Sequence, residues 1–387
     1  MRRIGVIVDL IGQYGRTVLS GINRFALANG QIHYAVRPRW LELEPLENCE
    51  HWDVDGMIVQ LAFLKFVDKL RQLNIPTVNV STIVADTGLP TVAVDCAAIG
   101  RMAAEHLLER GLRNFAFFGT ETHFSALRGA AFAQRIAEAG WPCHCPHISV
   151  NEARRGATNR QEFLGVLRTL PQPLGVFAPN DDGAAQIIEA CTDIGIAIPE
   201  QFAVLGCDAD DLINSCSRPS LSSISVPADQ VGFEAARMLL DLMDGKPVAA
   251  SKMLPPNGVI TRKSTDILAI DDREVAEALR YIRQNAHKQI RVEEVVRQVP
   301  LSRRVLEQRF RKVVGRSPLA EIQRVQLELA RQLLVETDLQ MPEIAERSGF
   351  ARASYFGEVF RKKFAMTPTD YRRRHRQRGS AAGADNL

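Results

Sequence analysis

No apolar run in this 387-residue chain approaches the roughly 20 residues that a membrane-crossing helix needs. The opening "MRRIGVIVDL" has a basic tip, but Asp9 ends its apolar run after five residues. That is too short for a secretion leader and reads as a buried strand, so a cytoplasmic protein is expected. Cysteine is sparse and odd in number: seven residues, Cys49, Cys96, Cys143, Cys145, Cys191, Cys207 and Cys216, which argues against a disulfide framework. The one cluster, "CHCPH" from Cys143 to His147, crowds its possible ligands at a spacing of no common zinc pattern. No metal and no cofactor are expected. Phosphate loops, nucleophile elbows and dinucleotide fingerprints are missing too, which sets enzymes aside. A sugar-modifying activity built on the carboxylates from Asp208 to Asp211 is the remote alternative.

What is present reads as two architectures. Hydrophobic residues make up 46% and charged residues 24%, ordinary for a globular chain, and the length suggests two or three domains. As far as Thr265, short runs such as "IGVIV", "GMIV", "TVNV", "NFAFFG", "LGVFA" and "FAVLG" alternate with helical segments. In "GRTVLSGINRFALANG" the residues Val18, Leu19, Ile22, Phe25 and Ala26 share a stripe, and Gly30 stands where a C-terminal cap belongs. This rhythm predicts βαβ units, about ten strands and two α/β lobes. After "ITRKSTDILAIDD" the strands stop and helical periods take over. The expected division is a two-lobed domain over 1–265, a linker over 266–272, an all-α domain over 273–376 and a disordered tail over 377–387.

Charge follows the same boundary. From Asp271 to Arg378 there are 24 Lys and Arg against 15 Asp and Glu, whereas the remainder holds 24 against 30, so the overall +3 conceals a basic block. A solvated basic surface and a polyanion-binding one both fit that number. A repeat decides between them. "FRKVVGRSP", Phe310 to Pro318, returns as "FRKKFAMTP", Phe360 to Pro368, fifty residues later. Upstream of each copy stand a short helix, a break at Pro300 or Gly349, and a second helix ending in the repeated Phe. Val296 and Ala345 allow a close helix crossing, and Ser302 is placed as an N-cap. This is helix-turn-helix spacing, written twice. In the first copy Val305, Leu306, Phe310 and Val313 are expected to face inward, leaving Arg303, Arg304, Glu307, Gln308, Arg311 and Lys312 outside. In the second, Phe356, Phe360 and Phe364 form the inner stripe, with Arg352, Ser354, Glu358 and Arg361 outside. Arg and Gln reach base edges, and Lys and Arg near helix ends hold phosphates. "PLAEIQRVQLELARQLLVET" predicts a strut of about 30 Å, able to space two reading helices near one turn of DNA.

At these residues the chain resembles the DNA-binding domain of AraC-type transcription activators. The resemblance runs over Val275 to Arg374 and is most specific in "IAERSGF…YFGEVFRKKF…TPTDYR". It implies two recognition helices in adjacent major grooves of promoter DNA, with base-facing positions at Arg303, Arg304, Glu307 and Gln308, then Arg352, Ala353, Ser354, Gly357 and Glu358. Ala365 and Pro300 depart from the family, which usually has Gly at both places.

From Arg3 to Val259 the chain resembles the effector-binding core of lac-repressor-type regulators, related to periplasmic sugar-binding proteins. "GVIVDLIGQYGRTVLSGINRFA", "VAVDCAAIGRMAAEHLLERG", "LGVFAPNDDGAAQIIEAC" and "SRPSLSSISVPADQVGFEAARMLL" carry it. With the first strand at residue four, no N-terminal DNA-reading headpiece is expected, and the C-terminal helices replace it. Ligands in open α/β sheets sit beyond the strand carboxyl ends, where Asp9, Gln60, Asn180, Asp181 and Asp208 stand, with Arg128 on the following helix. Tyr14 and Phe124 offer flat faces to a sugar's C–H surface. The resemblance implies Arg128, Asn180 and Asp208 as second-lobe contacts; Asp9, Tyr14 and Arg16 are the first-lobe candidates, with Arg16 alternatively paired to a surface carboxylate. Asp95 is expected to tie a helix to the hinge. Sensor and reader together resemble sugar-responsive operon regulators, which implies a small sugar effector, xylose foremost among the pentoses. They also imply a homodimer through the sensor, RNA polymerase as partner if the protein activates, and no membrane partner. A different sugar, or repression, is the alternative.

Overall fold

The computed structural model describes residues 2–30, 32–36, 52–150, 157–267, 272–364 and 366–376. Cys49, Ala365, residues 268–271 of the expected linker and the 377–387 tail lie outside the described residues. The chain divides into two compact units, one ending at Ile267 and the other made of the chain beyond it together with Glu109–Gly111.

The first unit opens with β1 (Arg2–Ile7), α1 (Gln13–Asn29), β2 (Ile32–Val36), β3 (Gly56–Val59), α2 (Lys65–Gln72), β4 (Thr77–Asn79) and β5 (Thr91–Val94). There follow α3 (Cys96–Leu108), β6 (Asn114–Phe117), α4 (His123–Glu138), β7 (Cys143–His144), α5 (Ala157–Thr169), β8 (Leu174–Phe177) and α6 (Asp181–Asp193). It closes with β9 (Phe202–Cys207), α7 (Asp211–Cys216), β10 (Ser222–Ser225), α8 (Ala228–Met243), β11 (Ser251–Leu254) and β12 (Gly258–Ile260).

These strands form two six-stranded sheets, ordered β11-β5-β4-β3-β1-β2 and β12-β10-β9-β8-β6-β7. All pairings are parallel except that of β12 with β10. Twelve strands are described, against about ten expected; they include β7, of only two residues. Each sheet carries its own core: Ile7, Met57, Val59 and Leu70 in the first lobe, and Phe118, Phe163, Val176, Ile187 and Val204 in the second. The chain passes between lobes three times, after β5, after β10 and between β11 and β12. These crossings are tied in pairs. Asp95 N–H donates to Leu254 O at 2.8 Å and Asn257 N–H to Ser225 O at 2.8 Å. The Asp95 carboxylate also accepts from Ala98 N–H at 2.8 Å and so caps α3 at the hinge.

Helix α1 ends as its sequence predicts. Gly30 adopts φ 61° and its N–H donates to Ala26 O at 2.9 Å. Val18, Ile22, Phe25 and Ala26 are buried, while Leu19 is only half-buried. Gly21 of α1 and Gly232 of α8 meet so closely that a Cβ on either would run into the other helix's backbone. That contact fixes the return helix of the first lobe.

The second unit is all helix: α9 (Arg273–Asn285), α10 (Val292–Val296), α11 (Arg303–Val314), α12 (Pro318–Glu336), α13 (Met341–Arg347), α14 (Ala353–Phe364) and α15 (Pro368–Arg376). It has two cores rather than one. Val275, Leu279, Ile282, Val295, Leu306, Phe310 and Ile322 make the first; Leu327, Leu334, Ile344, Phe356, Phe360 and Tyr371 make the second. Helix α12 supplies both, Ile322 from its first half and Leu327, Ala330 and Leu334 from its second. Its 19 residues span about 28 Å at 1.5 Å each. Midway along it, buried Gln326 donates to Ala286 O at 3.0 Å and to Gly349 O at 2.7 Å, joining the two halves.

Candidate functional site

The cleft between the lobes gathers polar groups from the carboxyl ends of both sheets. On the first-lobe side, Asp9 follows β1 and Gln60 follows β3. Their strands are neighbours, and Asp9 N–H donates to Gln60 Oε1 at 2.8 Å. The Asp9 carboxylate turns back to accept from Ile11 N–H at 2.9 Å. Tyr14, on the first turn of α1, donates its hydroxyl to Val80 O at 2.7 Å. Burial and the charge of Asp208 hold its pKa above the usual phenol range. Arg16 donates to Leu10 O at 3.0 Å and reaches Asp210 Oδ2 at 3.4 Å, a contact from first lobe to second. The carboxylate it meets is mostly buried, not one on the outer surface.

On the second-lobe side, Arg128 projects from α4 at 4% exposure. Its guanidinium donates to Pro179 O, stands 3.6 Å from Asp208 Oδ1 and lies 4.9 Å from the Phe124 ring centroid. One face of Phe124 therefore belongs to Arg128, a cation–π contact. Asp208 stands at the end of β9 in the left-handed region, φ 105°, followed by Ala209 at φ 55°. Burial raises the Asp208 pKa while Arg128 pulls it down, with a net rise. Arg128 Nε and Asp208 Oδ1 are both buried without a hydrogen-bond partner.

Two sequence candidates have structural duties. Asn180 caps α6, its Oδ1 accepting from Gly183 N–H at 2.9 Å. Asp181 is only 2% exposed: its Oδ2 accepts from Asp210 N–H at 2.7 Å and Asn214 Nδ2 at 3.1 Å, while its Oδ1 is buried without a hydrogen-bond partner. Burial, then the charge of Asp208, raise its pKa to about 8. Sequence reasoning missed Ser223 and Asn214 near this network, because Ser223 lies inside β10 and Asn214 inside α7, away from the strand ends. Cys143 and Cys145 lie 4.0 Å apart, sulfur to sulfur. No group of three or more metal-ligating side chains occurs among the described residues.

The two reader helices are near copies in exposure. Leu306 and Phe310 are buried on α11, as Phe356 and Phe360 are fifty positions on. Ser302 caps α11, accepting from Val305 N–H at 3.4 Å. Val305 corrects the expectation of an inward face: it is 40% exposed. A residue is rotated by about 100° from its neighbour on a helix, and the stripe set by Leu306 and Phe310 leaves Val305 outside, as it leaves its counterpart Tyr355. Arg303, Arg304, Gln308, Arg311 and Lys312 are exposed. Glu307 is half-buried, not outside, and bridges Arg303 at 3.0 Å and Arg311 at 3.9 Å; Glu293 holds Arg303 at 2.5 Å. Arg352, Ala353, Ser354, Glu358 and Arg361 are exposed on the second helix, and Phe364 is half-buried against its core. A Cβ at Gly357 would meet nothing of the protein, so this chain does not itself require Gly there.

Comparison with known proteins follows this division. A periplasmic binding protein-like domain model matches residues 104–265 and a helix-turn-helix domain model residues 295–374. The xylose operon regulatory protein of Haemophilus influenzae is 31% identical over 379 residues, covering 96% of this chain and 98% of that one. A solved structure of a xylose-binding transcription activator is 31% identical, with TM-score 0.61, and covers 97% of this chain and 98% of that one. A dimeric lac repressor, 20% identical with TM-score 0.56, covers 68% of this chain and 99% of its own, a likeness of fold. No helix among the described residues is long and apolar enough to cross a membrane. With a two-lobed sensor, a doubled helix-turn-helix reader and these full-length relatives, the chain belongs to the family of the xylose operon regulatory proteins, sequence-specific DNA-binding transcription regulators and not enzymes.

Proposed function

We propose that this regulator is gated by D-xylose or a close pentose relative and that it activates transcription. The observation that carries the sugar reading is the Arg128–Asp208 pair, where a buried donor and a buried acceptor stand side by side with hydrogen-bonding capacity unused. A sugar hydroxyl both donates and accepts, so it matches such a pair, and charge-assisted bonds of this kind are the strong ones. Asp9, Tyr14, Arg16 and Gln60 would meet the ligand from the first lobe, and Phe124, Arg128, Asn180 and Asp208 from the second. Kinship to xylose regulators favours xylose among the pentoses.

Sugar between the lobes shifts the population toward a closed hinge. A homodimer through the sensor then sets two readers on paired half-sites, gaining effective concentration and no new contacts. Arg303, Arg304, Glu307, Gln308, Arg352, Ala353, Ser354, Gly357 and Glu358 would face base edges, and Arg311, Lys312 and Arg361 phosphates. RNA polymerase is the partner that activation requires, and the cytoplasm is where that promoter is met. The test is a pentose panel titrated against the full chain, read by melting temperature and by affinity for labelled promoter DNA. D-xylose is expected to raise both. If no sugar moves either, the sugar gate is wrong.

A further inference from the structure

We propose that Asp181 is a positioning residue for sugar recognition: it never touches the sugar, and from behind the cleft it holds the turn that aims Asp208. This inference rests on the sugar reading of the Arg128–Asp208 pair and deepens it. Two consecutive residues other than Gly, Asp208 at φ 105° and Ala209 at φ 55°, carry positive φ immediately after β9. Such backbone persists only where its surroundings over-determine it. Three consecutive amides supply that determination. Asp208 N–H donates to Ile224 O at 2.9 Å, Ala209 N–H to Ser223 Oγ at 3.0 Å, and Asp210 N–H to Asp181 Oδ2 at 2.7 Å.

The first two anchors come from β10, the strand beside β9. The third comes from α6, so Asp181 ties the turn to a different element. The same oxygen accepts from Asn214 Nδ2 at 3.1 Å, and Asn214 is wholly buried on α7. Helix α7 is capped by Asp210, whose Oδ1 accepts from Leu212 and Ile213 N–H at 3.1 and 3.3 Å. One carboxyl thus sets both ends of the segment that follows Asp208. Space for it exists because residue 206 is Gly: a Cβ there would run into Asp181 Oδ1. Gly206 and Asp181 form a lock and its recess.

The experiment compares Asp181→Asn, Asp181→Ala and Ser223→Ala in the full chain, with Asp208→Asn as the contact control. Readouts are affinity for a set of pentose epimers and hydrogen exchange of the 206–214 backbone. The Asn amide oxygen takes over both hydrogen bonds, so Asp181→Asn is expected to stay within threefold of the parent, with 206–214 protected. Asp181→Ala is expected to weaken every pentose by tenfold or more, without reordering them, and to speed exchange across 206–214. Ser223→Ala should do the same more mildly. Asp208→Asn should reorder the epimers and leave exchange unchanged. Two results overturn the proposal: Asp181→Asn reordering the epimers, which would mean a carboxylate on the sugar, or Asp181→Ala leaving exchange over 206–214 unchanged. If the parent binds no pentose, the sugar reading fails by itself, and the exchange measurement still decides what Asp181 holds.

Discussion

Arg128 stands 3.6 Å from Asp208, an acid whose pKa burial raises and Arg128 pulls down. Removing the cation breaks this buried pair, which typically costs about 3–5 kcal/mol. Arg128→Ala is therefore expected to lower the melting temperature of the sensor strongly, and Asp208→Asn, which leaves the buried guanidinium without its carboxylate but with its bond to Pro179 O, to lower it by less; differential scanning fluorimetry checks both. Asp181 adds a pH signature. Its pKa rises from 3.8 to about 8 on folding, so between those values the folded chain holds a proton that the unfolded chain has lost. The stability this proton confers is full below the unfolded value and lost as pH rises through the folded one, at up to about 1.4 kcal/mol per unit. Melting from pH 5 to pH 9 should show that decline, and Asp181→Asn should flatten it. The sequence placed Asp208 after a strand and Tyr14 at the start of a helix, and the resemblance named Arg128; the structure has them at the end of β9, on the first turn of α1 and on α4. Asp181 was legible as a polar residue but not as a buried one. Its neighbour Asn180 and the turn at Asp208 decide which of two adjacent side chains looks inward, and a positive φ on Asp and Ala leaves no trace in composition.

At the scale of elements, the doubled reader was the most readable part, because Leu306, Phe310, Phe356 and Phe360 repeat at helical spacing with caps in place. Val305 was misjudged because an apolar residue beside a stripe looks like part of it until the helix phase is known. What periodicity could not show is the joint between the two halves. Gln326 is a polar residue inside an apolar strut, and its two acceptors come from the end of α9, ahead of the first helix-turn-helix, and from the turn of the second. Gly349 adopts φ 87°, and a Cβ there would strike Ala286 O. Gly349→Ala is thus expected to destabilise the DNA-binding unit by on the order of 2 kcal/mol, through strain and loss of the Gln326 bond together. Chemical denaturation followed by far-UV circular dichroism would measure it. The readers also differ in chemistry. Helix α11 shows Arg304 and Gln308 where α14 shows Ser354 and Glu358, a donor-rich face against an acceptor. A carboxylate suits cytosine N4, and Arg suits guanine. Arg304→Ala should cost about 1–3 kcal/mol at one guanine, and Glu358→Ala should relax one cytosine, both read on operators substituted base by base. Uniform loss across all variants would mean that these side chains hold phosphates instead.

At the scale of the whole molecule, the question is how a hinge in one unit changes binding by another. Three crossings, laced by Asp95 to Leu254 and Asn257 to Ser225, join the lobes. The Arg16–Asp210 contact bridges them at 3.4 Å with the arginine 40% exposed. Screened by solvent, it biases closure by no more than about 1 kcal/mol, so the sugar must supply the larger part of any shift. Linkage then sets a strict condition. If xylose tightens promoter binding by some factor, the promoter must tighten xylose binding by the same factor, whatever path joins the sites. For a coupling free energy of about 1–3 kcal/mol that factor lies between roughly 5 and 150. We expect the two legs to agree within error when sugar affinity is measured calorimetrically with and without operator, and operator affinity with and without saturating sugar. Arg16→Ala, which removes the Asp210 contact together with a proposed contact to the sugar, should weaken sugar binding and leave the agreement intact. Unequal legs would mean that sugar and DNA act on different assembly states, and a model with one closed state per sensor would have to give way to one in which dimer formation carries the signal.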